Sequence, residues 1–251
     1  MSFCISKQQL FFNDWQRILP TLADNSVDLL LTDPPYATTG IKWDKPVDWT
    51  AFWIEIHRVC KINSAMVFFA SGKFVPILIN SNLTNYRYEL IWEKFNSVGH
   101  LDANRRPLRA HEQMLIFSRK WKSSTYNPQK TEGKPHKNGG QNKKPVHYKG
   151  KTRPTEEVIT NLYHPRSVLK FDSREKDGTS RHPTAKPLDL VTWLVKSFSN
   201  PGDVVLDPFF GSGTTLAACL LTGRRGIGCE REETYFNNAC EWLERIDAEI
   251  N

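Results

Sequence analysis

Val27-Asp28-Leu29-Leu30-Leu31-Thr32 is a short apolar run that reads as a buried strand, and it stops at Asp33-Pro34-Pro35-Tyr36. Pro34 and Pro35 lack N–H donors and fix φ, so the strand cannot go on pairing and the chain turns stiffly there. The turn presents a carboxylate, two backbone carbonyls and an aromatic ring at the carboxyl end of a strand. In open α/β sheets that end is where ligands bind. Taken alone, the turn also fits a plainer role, a strand end capped by Asp33.

A second strand end lies far along the chain. Asp203 to Asp207 reads as a buried strand and runs into Pro208-Phe209-Phe210-Gly211-Ser212-Gly213-Thr214-Thr215. A helix is expected through Leu216 to Leu221, with Gly223 as its stop. Arg225 to Glu230 is the next strand and ends in an acid, 17 positions after Gly213. Strand, glycine loop, helix, strand and acid form the first half of a nucleotide-type site, in which the acid meets ribose hydroxyls. The glycines let a backbone approach a ligand closely. The loop lacks the G-x-G-x-x-G of dinucleotide sites and the Lys of a phosphate-binding loop. Asp207 at the strand end disfavours a pyrophosphate and favours a cationic, amine-bearing ligand. S-adenosylmethionine, with its sulfonium and amino group on an adenosine, fits.

Between the two ends the chain alternates. Residues 3–12 read as a first strand, followed by Asp14, and Trp15, Ile18, Leu19 and Leu22 share helical spacing. Residues 37–44 form a small, polar loop suited to folding over a ligand. Asp48 caps a helix to Cys60, and strands follow at 65–70, 87–92 and 113–117, with a helical stretch from Ser71-Gly72 towards Asn80. The loop at 105–112 carries Arg105, Arg106 and Arg109, which suit phosphates or local ion pairs. Leu188, Val191, Leu194, Val195 and Phe198 mark a further helix opened by Pro187, and residues 232–249 a last one.

Charge divides the chain. The 251 residues carry a net charge of +7, but residues 119–153 hold eleven Lys or Arg and one acid, Glu132, a local +10 that leaves the remainder at −3. Periodicity disappears from 121 to 181, a stretch too long for an ordinary connection. It reads as an inserted, loop-rich module between two parts of an α/β core, residues 1–120 and 182–251. Its basic residues, Lys143, Lys144, Lys149, Lys151 and Arg153 among them, suit a polyanion or a solvated loop. Five scattered cysteines form no C-x-x-C pair, so neither zinc nor a disulfide framework is expected. No apolar run reaches the roughly 18 residues of a membrane span, and a cytoplasmic location is expected.

D-P-P-Y at 33–36, F-x-G-S-G-T at 209–214 and H-P-T-x-K-P at 182–187 together resemble the amino-group DNA methyltransferases. The order, catalytic motif first and cofactor motif last with a basic insertion between, resembles their β class. The resemblance implies a seven-stranded, mostly parallel, doubly wound sheet in which the strands ending at Asp33 and Asp207 are neighbours. It implies that Asp207, Phe209, Gly211, Ser212, Gly213, Thr214 and Glu230 hold S-adenosylmethionine. Thr184 and Lys186 would close its methionine end, and Asp14 and Ser71 are weaker candidates. The basic insertion would read double-stranded DNA. Enzymes of this class are often dimers, and apolar residues exposed on the 49–60 helix would serve a homodimer.

The chemistry of an exocyclic amine then assigns roles. The lone pair of adenine N6 is delocalised and weakly nucleophilic. Asp33 and the Pro34 carbonyl would accept its two N–H groups, and Tyr36 would stack on the base, worth roughly 1–3 kcal/mol. The base must leave the duplex to reach them. Cytosine-C5 transfer needs a cysteine nucleophile after proline, and no cysteine here follows one. Cytosine-N4 enzymes usually begin the motif with Ser, so Asp33 favours adenine. A DNA-binding regulator without catalysis is the remaining alternative.

Overall fold

The computed structural model describes residues 2–37, 45–140, 155–172 and 185–250. In chain order the elements are β1 (Ser2–Ile5), β2 (Gln8–Phe12), α1 (Trp15–Ile18), β3 (Val27–Thr32), α2 (Trp49–Val59), β4 (Cys60–Ala70), α3 (Phe74–Ser81), β5 (Tyr86–Val98), β6 (Arg109–Phe117), β7 (Thr131–Gly140), β8 (Thr155–Tyr163), β9 (Val168–Phe171), α4 (Leu188–Phe198), β10 (Val204–Asp207), α5 (Thr214–Leu221), β11 (Arg225–Glu230) and α6 (Glu233–Ile250).

Among the described residues the main sheet has nine strands in the order β1-β2-β11-β10-β3-β4-β6-β5-β9, not the expected seven. Two local features account for the difference. The expected single strand over 3–12 breaks at Ser6, which holds φ 47°, and folds back as the antiparallel pair β1–β2. Val168–Phe171, which the sequence reading leaves inside the insertion, pairs in parallel with β5 as an edge strand. The centre of the sheet is parallel, from β2 through β11, β10 and β3 to β4. β6 runs antiparallel to both β4 and β5.

The central strands are apolar because both faces are covered. Val27, Leu29, Leu30 and Leu31 of β3 are fully buried. Leu30 faces Phe52 and Ile56 of α2 and Phe74 and Leu78 of α3. Leu29 and Leu31 face Leu190, Leu194 and Phe198 of α4. Asp48 starts α2 as the sequence predicts, its carboxylate accepting the N–H groups of Thr50 and Ala51 at 3.1 Å. The helix expected from Trp15 to Leu22 is shorter: α1 ends at Ile18 and gives way to a 3-10 turn over Leu19–Thr21, where Pro20 has no N–H to continue it.

Residues 128–166 form a separate compact unit, and residues 1–127 with 167–251 form the other. The smaller unit is built on the antiparallel strand pair β7–β8. Within it the His136 ring stacks on Tyr163, centroids 4.2 Å apart, and the Tyr163 hydroxyl donates to the Lys134 carbonyl at 2.9 Å.

Gln8 fixes the alignment of β2 beside β11. It is buried, its Nε2 donates to the Arg224 carbonyl at 3.0 Å, and Gly226 N–H donates to its Oε1 at 2.7 Å. A Cβ on Gly226 would lie 2.4 Å from that oxygen, so the glycine and the glutamine fit only as a pair. Gln8→Leu leaves both backbone groups buried without partners. Urea denaturation should show a loss of about 1–3 kcal/mol for each of them.

Candidate active site

β3 and β10 lie side by side with Leu29 opposite Val205 and Leu30 opposite Leu206. β3 ends at Thr32, just before Asp33-Pro34, and β10 ends at Asp207, just before Pro208; continued, the register sets Asp207 beside Leu31, so the two Asp-Pro steps leave the same edge of the sheet two residues apart on neighbouring strands. A cavity of about 250 Å³ opens there. Asp33, Pro34 and Tyr36 line it from β3, Asp207, Phe209, Gly211, Ser212, Thr214 and Glu230 from β10, the glycine loop and β11, and Asp14 and Lys186 also line it. The register brings together two motifs separated by more than half the chain.

Asp207 is 3% exposed. Its Oδ1 accepts the Thr32 hydroxyl at 2.7 Å and the Phe209 N–H at 3.1 Å, and the Thr215 hydroxyl also bonds to it. These donors are all neutral. Burial therefore dominates and pushes the Asp207 carboxyl up to about 6, with the charge of Asp33 acting in the same direction. A cation brought beside Asp207 would supply the missing compensation.

The glycine loop divides its duties. Gly211 holds φ 52°, and a Cβ there would meet nothing within 4 Å, so its backbone borders open space in the cavity. Gly213 holds φ 81° and caps α5, and a Cβ there would lie 2.9 Å from Ala239 of α6. Gly213 thus lets α5 and α6 pack closely and does not itself line the cavity. The Ser212 and Thr214 hydroxyls bond each other at 2.9 Å, and the Phe209 ring stacks on Phe52 at 5.8 Å. Glu230 ties the loop to β11. Its Oε2 accepts Gly211 N–H at 3.0 Å, and its Oε1 accepts the N–H groups of Arg231 and Glu232 at 2.8 Å. Burial raises the Glu230 carboxyl against the pull of these three amides. Asp14 caps α1 through Gln16 N–H at 3.0 Å and lies 3.7 Å from the Arg231 guanidinium.

On the other side, Asp33 Oδ1 accepts the Tyr36 hydroxyl at 2.8 Å, and Oδ2 contacts the Lys186 ammonium. Phe74 backs one face of the Tyr36 ring, centroids 4.5 Å apart and planes 16° from parallel. Burial, then the charge of Asp33, holds the Tyr36 phenol well above its ordinary range. Lys186 also approaches Glu112, at 3.5 Å.

Other expected site residues lie apart from the cavity. Arg106 pairs with Asp102 at 3.0 Å on the surface, and Arg105 is exposed nearby. Arg109 starts β6, half-buried, and donates to Ser71 Oγ at 2.5 Å. The 105–112 loop of the sequence reading is therefore partly strand, because Arg109, His111 and Glu112 pair with β5. Thr184, Lys143, Lys144, Lys149, Lys151, Arg153 and most of the 37–44 loop lie outside the described residues. Sequence reasoning missed Glu112, Lys94 and Tyr235. Glu112 and Tyr235 line the cavity, and Lys94 contacts Glu112. The sequence places Glu112 in a loop before the 113–117 strand, and nothing local marks it, because its meaning comes from lysines on other segments.

A family model described as DNA methylase, of the N6/N4 type, matches residues 27–241. Type II methyltransferase M.HinfI of Haemophilus influenzae is 31% identical over 93% of this chain and 67% of its own length. Type II methyltransferase M.HpaI of Haemophilus parainfluenzae is 28% identical over 97% of this chain and 76% of its own. Among solved structures, an M1.HpyAVI–SAM complex superposes with a TM-score of 0.63 at 27% identity, covering 94% of this chain and 98% of that one. PvuII DNA methyltransferase, cytosine-N4-specific, superposes at 0.67 with 17% identity, covering 98% and 93%, a likeness of fold.

The environment of Asp207 sets a sign for stability. Its folded value of about 6 lies above the ordinary 3.8, so between those limits the unfolded chain releases a proton that the folded chain keeps. This group's contribution to stability therefore falls as pH rises from about 4 to about 6, by about 3 kcal/mol, and is flat above that. Asp207→Asn keeps an acceptor for Thr32 and Phe209 N–H but cannot ionise. Urea midpoints measured across this window should decline in the native protein relative to the variant.

Proposed function

The chain belongs to the N6/N4 DNA methylase family, and from that premise we propose that it methylates adenine N6 of a base turned out of duplex DNA, with S-adenosylmethionine as methyl donor. The observation that carries this reading is the single cavity shared by Asp33 at the end of β3 and Asp207 at the end of β10. One carboxylate serves an amine and the other a cation.

The residues present suit the donor. S-adenosylmethionine supplies an electrophilic methyl group on a sulfonium, together with an amino acid and an adenosine. Asp207 is buried among neutral donors and gains from a positive partner. Phe209, Gly211, Ser212 and Thr214 offer an aromatic face, an open backbone and two hydroxyls. Glu230 already holds three amides, which fix its carboxylate so that its remaining lone pairs can take ribose hydroxyls.

On the acceptor side, the Asp33 carboxylate accepts one N–H of the amino group and the Pro34 carbonyl the other. Holding both hydrogens localises the lone pair and aims it, and much of the acceleration comes from positioning. Tyr36 stiffens this arrangement. Its hydroxyl is anchored on Asp33 and its ring is backed by Phe74, so it can stack on a flipped base at little cost in side-chain order. The energy of that stacking offsets part of the cost of taking the base out of the helix.

Incubation with methyl-labelled S-adenosylmethionine and unmethylated genomic DNA, followed by nucleoside analysis, tests the reading. N6-methyladenine is the expected product, absent with Asp33→Ala. Tyr36→Ala should reduce kcat/KM about 5- to 150-fold, as loss of roughly 1–3 kcal/mol of stacking implies. N4-methylcytosine would overturn the base assignment, and cofactor binding without any transfer would favour a binding-only role.

A further inference from the structure

Behind Asp33 runs a file of alternating charge. The Lys186 ammonium contacts Asp33 and lies 3.5 Å from Glu112 Oε2, while the Lys94 ammonium contacts Glu112 Oε1. The side chains of Lys186, Glu112 and Lys94 are 10%, 15% and 16% exposed. They come from three segments: Lys94 from β5, Glu112 from the adjoining β6, and Lys186 from the stretch before α4. Each lysine also lies over an aromatic ring, Lys186 at 5.0 Å from the centre of Phe69 and Lys94 at 4.9 Å from that of Trp92. Burial opposes the charge on Glu112, but Lys186 and Lys94 hold its carboxyl below the ordinary range. Burial likewise opposes the charge on Lys186, but Asp33 and Glu112 hold its ammonium above the ordinary range. Glu112 is thus an anion and Lys186 a cation at neutral pH.

We propose that Glu112 is a positioning residue for methyl transfer, acting through Lys186 to fix the Asp33 carboxylate and to balance the positive charge behind it. The proposal rests on Asp33 as the acceptor of the amino group. The amino nitrogen gains positive charge as its bond to the methyl carbon forms while the bond from that carbon to the donor sulfur breaks, its electron pair going to sulfur, and it is discharged when it gives a proton to water. An unbalanced cation close behind Asp33 opposes that charge at the moment it develops. With Glu112 in place, two anions and two cations cancel. Without it, Lys186 and Lys94 face Asp33 alone, and the file carries one excess positive charge. Arg109, whose guanidinium charge is felt at Tyr36 and which bonds Ser71, adds to the positive side and makes the balance more necessary.

Three variants test this: Glu112→Gln, Lys94→Met and the two combined. Glu112→Gln should lower kcat at least 30-fold while S-adenosylmethionine affinity, measured by calorimetry, stays within about twofold. Adding Lys94→Met removes the excess cation and should restore kcat at least fivefold over Glu112→Gln alone, a recovery that a purely structural role would not produce. Acetylation of Lys186 by acetic anhydride, followed by mass spectrometry, should be faster in Glu112→Gln than in the native protein. A Glu112→Gln kcat within threefold of native, a loss the second substitution fails to relieve, or unchanged Lys186 acetylation would each overturn the proposal. If the native protein transferred no methyl group to DNA, the functional reading would fail, while the acetylation comparison would still report on the hold of Glu112 on Lys186.

Discussion

The parallel pairing of β3 with β10 is the constraint from which the site follows. Leu29 and Leu30 meet Val205 and Leu206, and the bond from Thr32 Oγ1 to Asp207 Oδ1 closes the pair at its last rung. A slip of one residue would turn the buried leucines of β3 to the opposite faces. Both faces of β3 are packed, against α2 and α3 on one side and α4 on the other, so the hydrophobic core enforces the alignment. The chemistry at the strand ends is therefore placed by apolar residues that take no part in it.

At those ends, two carboxylates share a cavity but sit in different surroundings. Asp207 is enclosed by neutral donors, and burial makes its charge costly. Asp33 is met by a lysine and a phenol, and behind the lysine stands Glu112. One end is thus short of positive charge and the other supplied with it. A cationic donor and a neutral amine acceptor match that division, because each finds the partner it lacks. The same logic separates Gly211 from Gly213: one opens the cavity, and the other allows α5 to lie against α6.

Much of this was legible in the sequence because it depends on local rules. Proline ends strands, an acid caps a helix, glycine opens a loop, and apolar periodicity marks strands and helices. These signals locate β3, α2, α4, β10, α5 and β11. What the sequence left hidden depends on contacts between distant segments. The turn at Ser6 splits one expected strand into two because its positive φ follows from the sheet into which β1 and β2 fold. Val168–Phe171 joins β5 as an edge strand although composition around it resembles a loop. Lys186 meets Asp33 across 153 positions, and Glu112 gains meaning only from the lysines on either side of it.

The chemistry of the site depends on both strand ends serving one cavity. A crystal structure with sinefungin, the unreactive donor analogue in which an amine-bearing carbon replaces the methylated sulfur, addresses this directly. The analogue is expected in the cavity beside Asp207 and Phe209, its ribose at Glu230 and its amine-bearing carbon turned towards Asp33. An analogue bound elsewhere, or bound there with that carbon turned away from Asp33, would contradict a shared cavity.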